Sequence, residues 1–271
     1  MPCYAGTRFP CGKCGGCLAK RASDWSVRLL HEKILHERSS FITLTYADDE
    51  VVDVDKVTCQ NFLKRLRKSL APSRIRFYLA SEYGDQSHRP HYHAIIFGHD
   101  FTLDHGAKVV RSGLYTSPLL EAAWGLGHVS AGEVSGASIR YVCNYILGKE
   151  DVPSVVSLET GDSRPLAPTF ALMSRNPGIG ARWIDAHSGE TYRDDDVVCG
   201  SFRRRPPRYY DMRTFKEDES SYNALRSARR NANVKSMSRS PKSWLQNHDP
   251  LRRVAAGKIH ASKSAMRSGE L

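Results

Sequence analysis

Apolar positions along the chain change their period repeatedly, and each change marks an element. From Leu18 to about His36 the residues Leu18, Ala22, Trp25, Leu29, Leu30 and Ile34 recur at three- and four-residue steps, which predicts a helix with one buried face. Phe41-Ile42-Thr43-Leu44-Thr45-Tyr46 is β-branched and aromatic, as a strand should be. The helical period returns from Asp55 to Leu70, with Phe62, Leu63, Leu66 and Leu70 on the apolar face, until Pro72 stops it. Ile75 to Glu82 and His91 to Gly98 read as strands separated by the turn-rich Gly84-Asp85-Gln86-Ser87 and Pro90. A short helix over Pro118–Trp124, a strand over His128–Val134 and a helix over Gly136–Lys149 follow. Strands joined by hairpin and helical connections predict an antiparallel sheet with helices packed on it, an α+β domain instead of a βαβ nucleotide fold. Residues 151–200 carry Gly and Pro punctuation and no assignable element; from Arg203 onward polar and basic residues predict a partly disordered or helical arm.

Composition narrows the class. With 40% hydrophobic residues in 271, the chain can build one good core with appended segments. The pattern divides it into a Cys-rich knuckle and helix (1–38), an α+β domain (39–150), an accessory segment packed on that domain (151–200) and a basic tail (201–271). No apolar run approaches the roughly 20 residues of a membrane span, and the N-terminus lacks the apolar stretch of a secretory signal, so a cytosolic protein with no membrane partner is expected. Of seven cysteines, Cys3, Cys11, Cys14 and Cys17 crowd the start of the chain. In a reducing compartment such a cluster favours metal ligation over disulfides, with structural Zn²⁺ as one reading and an iron–sulfur centre or unligated thiols as the others. The formal charge is +11, and because residues 1–200 are balanced the whole excess falls in residues 201–271. The partner of that tail should be a polyanion, with Arg203, Arg204, Arg205 and Arg208 as candidate DNA contacts; a solvated tail that binds nothing in particular is the plain alternative.

Two clusters carry chemistry. On a strand, residues i and i+2 point to one face about 7 Å apart, so His91 and His93 can converge on one divalent ion. Eleven histidines in 271 residues give roughly 0.4 such pairs by chance, so the spacing gains weight only from its neighbours. Glu82 ends the preceding strand, and a hairpin through Gly84 would bring its carboxylate beside the pair. Two imidazoles and a carboxylate with open positions suit Mg²⁺ or Mn²⁺ acting on a phosphate, whereas a closed zinc site would want a fourth protein ligand. Tyr141, Tyr145 and Lys149 follow one another at four-residue steps and share a helix face. A tyrosine oxygen attacking a backbone phosphate forms a covalent phosphotyrosine and frees a 3′-hydroxyl, while Lys149 could hold the phosphate. Helical tyrosine pairs are more often amphipathic core residues; the histidines are what make these two candidate nucleophiles.

The motifs occur in a telling order: Phe41 to Tyr46, then Glu82-Tyr83-Gly84 with Arg89-Pro90-His91-Tyr92-His93, then the paired-tyrosine helix. In this the chain resembles the rolling-circle replication initiators of the HUH (histidine-hydrophobe-histidine) endonuclease class, and in detail those of gokushovirus-like microviruses. The Cys-rich Pro10 to Cys17 running into Asp24-Trp25, and Ser174-Arg175-Asn176-Pro177-Gly178-Ile179-Gly180, are similar to that group as well, so the likeness spans residue 3 to about 180. The resemblance implies a ferredoxin- or RRM-like HUH domain over 39–150, metal ligation by His91, His93 and Glu82, and attack by Tyr141 or Tyr145. It implies single-stranded origin DNA as substrate, host helicase and polymerase as partners, and the cytoplasm of a bacterial host as the place of action. One departure stands out: the family helix carries lysine three residues after each tyrosine, whereas here those positions are Asn144 and Gly148 and Lys149 is displaced by one. A plasmid relaxase or transposase would use the same chemistry. A non-enzymatic zinc and nucleic-acid binding protein would leave Glu82, the histidines and the tyrosines unexplained together.

Overall fold

The computed structural model describes residues 10–47, 53–84, 88–144, 154–156, 163–200 and 202–239. They belong to two compact units, one of Ser26–Trp183 and one of Met1–Trp25 with Ile184–Leu271. After α1 (Gly15–Ile34), the first of these units is built by β1 (Ser39–Tyr46), α2 (Lys56–Ser69), β2 (Arg76–Tyr83), β3 (Pro90–Phe97), β4 (Lys108–Arg111), β5 (Leu114–Thr116), α3 (Pro118–Trp124), β6 (Gly127–Glu133) and α4 (Gly136–Asn144). The short strands β7 (Ser154–Val156), β8 (Ser163–Pro165) and β9 (Ala171–Met173) follow. The sheet order is β4-β5-β6-β1-β3-β2-β9, with every pairing antiparallel. Its centre, β6-β1-β3-β2 with crossovers through α2 and α3, is the βαββαβ arrangement of a ferredoxin-like fold. The expected α+β class is what the chain adopts.

Local chemistry sets these elements. Burial along β1 alternates residue by residue, with Ile42, Leu44 and Tyr46 buried and Phe41, Thr43 and Thr45 half-buried on the other side. The Asp55 carboxylate caps α2, accepting from the Val57 amide at 3.0 Å and the Thr58 amide at 2.8 Å. Asp55→Ala removes both acceptors and is expected to cost about 1 kcal/mol, as N-cap losses do, read as a lower urea midpoint of the full chain. Against the even-numbered side of β1 pack α2 and α3. There Trp124 is fully buried, with ring centroids 5.3 Å from Tyr46, 5.9 Å from Phe62 and 5.8 Å from Tyr92, and its indole N–H donates to the Thr45 carbonyl at 3.0 Å. Gly127, with φ of +150°, opens β6 where a Cβ would collide with the Ala47 amide and the Thr45 carbonyl.

The opposite face of the sheet is covered by α4 and by the second half of α1, whose Val27, Leu29, His31 and Glu32 are buried. Ile34, expected on the apolar face of this helix, is instead 71% exposed. Among the described residues no helix is long and apolar enough to cross a membrane.

The second unit contains most of α5 (Ala181–Asp194), the hairpin of β10 (Val197–Cys199) and β11 (Phe202–Arg204), α6 (Arg208–Thr214) and α7 (Glu219–Arg239). The arm expected to be partly disordered or helical is helical over Arg208–Thr214 and Glu219–Arg239, and a largely buried ionic cluster holds these described residues. Arg229 of α7 donates to Asp195 and to Asp211 at 2.5–3.0 Å, and the Tyr192 hydroxyl donates to Asp211 at 2.9 Å. Burial, followed by the Asp211 charge, pushes the Tyr192 phenol well above its ordinary pKa.

Candidate active site

Four elements converge on the face of the sheet that carries the odd-numbered residues of β1. Cross-strand register places Thr45 opposite His91 and Thr43 opposite His93 on one side of β3, and Glu82 opposite His91 on the other. Each histidine is anchored from β1: Thr45 Oγ1 lies 3.0 Å from His91 Nδ1, and Thr43 Oγ1 lies 3.1 Å from His93 Nδ1. His93 Nε2 then meets the Glu82 carboxylate at 2.9 Å, and both side chains are nearly buried. The imidazole of His93 also receives α4, since the Tyr141 ring packs edge-on to it with centroids 5.1 Å apart, and edge-on to Phe41 at 6.0 Å.

This arrangement suits a ligand set that changes state. An ionised carboxylate only accepts, so a neutral His93 donates from Nε2 to Glu82 and accepts from the Thr43 hydroxyl at Nδ1. When Nε2 must offer a lone pair, the same hydroxyl turns to accept from Nδ1–H, because threonine is both donor and acceptor. Burial, then the neighbouring His93 and Arg89, lower the His91 pKa against the pull of Glu82, which favours the neutral imidazole that a metal requires. Glu82, His93 and Tyr141 are therefore brought together, with His91 next along the strand. The donors of His91, His93 and Glu82 are nonetheless not gathered as tightly as the three cysteines Cys11, Cys14 and Cys17, whose sulfurs lie within 4.8 Å of one another. Thr43 and Thr45 were legible only as strand formers; the alternation of β1 puts both on one face, and the register with β3 sets them opposite the histidines.

Comparison with known proteins gives a family for the region that carries this site. Residues 39–150 match the family described as replication-associated protein ORF2/G2P. The chain is 30% identical over 215 residues to replication-associated protein VP4 of Bdellovibrio phage phiMH2K, covering 74% of this chain and 66% of that protein. It is 29% identical over 236 residues to replication-associated protein ORF4 of Chlamydia phage 1, covering 80% and 58% respectively. The chain belongs to the phage replication-associated proteins. It spans less than two thirds of the length of either relative. No solved structure gives a significant match.

Among the described residues, the remaining candidates of this replication-associated protein lie outside the seven-stranded sheet. Cys11, Cys14 and Cys17 come together at the start of α1, while Cys3, Tyr145 and Lys149 lie outside the described residues. Of the candidate DNA contacts, Arg203 is paired to Asp196 at 2.9 Å, Arg205 approaches Asp195 at 3.6 Å and Arg204 donates to the Ser23 hydroxyl. Arg208 begins α6 and is exposed. Arg203 is thus paired with a carboxylate of its own, while Arg205 shares Asp195 with Arg229, which the sequence count of residues 201–271 could not show.

Proposed function

We propose that this replication-associated protein is a site-specific DNA nicking and joining enzyme that initiates and terminates rolling-circle replication of a small single-stranded DNA phage. The observation that carries the reading is His93, held between the Glu82 carboxylate and the Tyr141 ring and braced from behind by Thr43. In the reaction a tyrosine oxygen attacks a backbone phosphate. The new O–P bond makes a 5′-phosphotyrosine, the P–O3′ bond breaks, the phenol gives up its proton and the 3′-oxygen takes one. The free 3′-hydroxyl primes synthesis, and reversal of the step rejoins the strand. His91, His93 and Glu82 fit a hard divalent ion of the Mg²⁺ or Mn²⁺ kind, which would polarise phosphate oxygens. The chain's own contribution is to hold both imidazoles in fixed orientation from β1 and to present Tyr141 from α4 onto that face. On this reading the substrate is origin DNA inside the host bacterium, with helicase and polymerase supplied by the host.

Incubation of the full chain with the phage's circular single-stranded genome and Mn²⁺ should yield a protein–DNA adduct that survives a denaturing gel. His93→Ala should remove it. An unmodified protein with every divalent ion tried would overturn the reading.

The threonines provide a finer test. Thr43→Val keeps the shape of the side chain and deletes the hydroxyl, so nicking or metal affinity should drop roughly 10- to 100-fold, as loss of a ligand-orienting hydrogen bond does. Thr43→Ser, which keeps the hydroxyl, should stay close to wild type. Nicking rates titrated against Mn²⁺ concentration distinguish the two.

A further inference from the structure

We propose that Cys11, Cys14 and Cys17 are thiolate ligands of a structural zinc ion, a site separate from the His91, His93 and Glu82 cluster. Their three sulfurs lie within 4.8 Å of one another, with Cys11 Sγ 3.9 Å from Cys17 Sγ. Tetrahedral zinc with Zn–S bonds of about 2.3 Å sets its sulfurs roughly 3.8 Å apart, so the Cys11–Cys17 pair has the spacing of two ligands of one ion and Cys14 lies within 4.8 Å of both. Core packing does not account for the convergence. Cys59 and Cys143 are buried and serve as small apolar residues, whereas Cys11 is exposed and Cys14 and Cys17 are only half-buried.

The backbone is shaped to the same end. Gly12 has φ of +77°, a left-handed conformation costly for other residues, and the turn it allows returns the Cys14 amide to Cys11 Sγ at 3.3 Å. An N–H aimed at sulfur stabilises the thiolate that zinc requires. Cys17 sits in the first turn of α1, where the helix dipole favours negative charge. The spacing Cys-x₂-Cys-x₂-Cys therefore delivers three thiolates from a turn and a helix start. The segment has few apolar side chains to bury, and an ion is what would otherwise hold it in shape.

The full chain, purified under reducing conditions without added metal, is assayed for zinc and iron by mass spectrometry after EDTA dialysis. About one equivalent of zinc is expected. Cys11→Ser, Cys14→Ser and Cys17→Ser should each fall to traces, while Cys199→Ser keeps the full load. Wild-type protein exchanged into cobalt should show the intense visible absorption of tetrahedral cobalt thiolate, a readout that needs no variant to fold. Zinc at trace levels in the wild type, iron in its place, unchanged loading in all three variants, or a cobalt spectrum without thiolate character would each overturn the proposal. None of these readouts depends on DNA cleavage, so the nicking reading can fail while this one stands.

Discussion

The double variant Tyr141→Phe, Tyr145→Phe is expected to form no covalent DNA adduct, a loss of several orders of magnitude of the kind that follows removal of a nucleophile. Phenylalanine keeps the edge-on packing of residue 141 against His93 and Phe41, so the loss would report on the hydroxyl and not on a collapsed site. The single variants should behave differently. Rolling-circle synthesis needs two transesterifications, one opening the origin and one cutting the regenerated origin while the first product is still held. Tyr141 and Tyr145 are four residues apart in the sequence, and on the proposed reading two tyrosines at that spacing alternate at a single phosphate. Each single variant should therefore retain some cleavage of a short origin oligonucleotide and lose more of circle release than of first cleavage. One single variant without any adduct, beside another that matches wild type in both steps, would reduce the chain to a one-tyrosine enzyme with its nucleophile identified.

Glu32→Ala is expected to destabilise the sheet-bearing unit by about 3–5 kcal/mol, the usual consequence of removing one partner of a buried ion pair. The Glu32 side chain is 1% exposed and ties together three segments: it accepts from Arg76 of β2, lies 3.2 Å from His36 Nε2 and accepts from the Gly180 amide at 2.7 Å. Arg76 in turn donates to the Pro177 carbonyl at 2.8 Å. Burial opposes ionisation of Glu32, but His36, the Gly180 amide and Arg76 together outweigh it and hold the carboxyl below its ordinary value. With the folded pKa depressed, this stabilisation is complete above the unfolded value of 4.5 and is lost as pH falls through the folded one. Urea midpoints should therefore decline below about pH 4.5 in the wild type and less steeply in Glu32→Gln. A Glu32→Ala protein that unfolds at the wild-type midpoint would show that the pair contributes nothing net.

The sequence alone was informative wherever one residue's environment follows from its neighbours. The strand period of β1, the apolar face of α2 and the extent of α3 over Pro118–Trp124 could all be read because hydrophobic periodicity and local capping fix them within a few residues. An antiparallel sheet with helices packed on it followed from those elements and from short connections, and His91 and His93 could be placed on one face because i and i+2 on a strand share it, although that spacing gained weight only from its neighbours. Short, exposed or edge strands were not legible. The four residues of β4 are all exposed, and β9 has three residues, so neither shows an alternation to detect.

What only the tertiary structure decided are relations between residues distant along the chain. Register decided that Thr43 and Thr45 back the two histidines, and that Glu82, opposite His91 in the ladder, makes its hydrogen bond to His93. Glu32 is a charged residue in a helical stretch of the sequence, yet it is buried because Arg76 and the Gly180 amide, 44 and 148 residues away, supply the partners that make burial of a carboxylate affordable. The basic segment reads as a tail by composition, since nothing local reveals that Arg229 will meet Asp195 and Asp211. Periodicity is a property of adjacent residues and survives in the sequence; hydrogen-bond and charge pairing depend on which surfaces the fold brings together, and those exist only once the chain has folded.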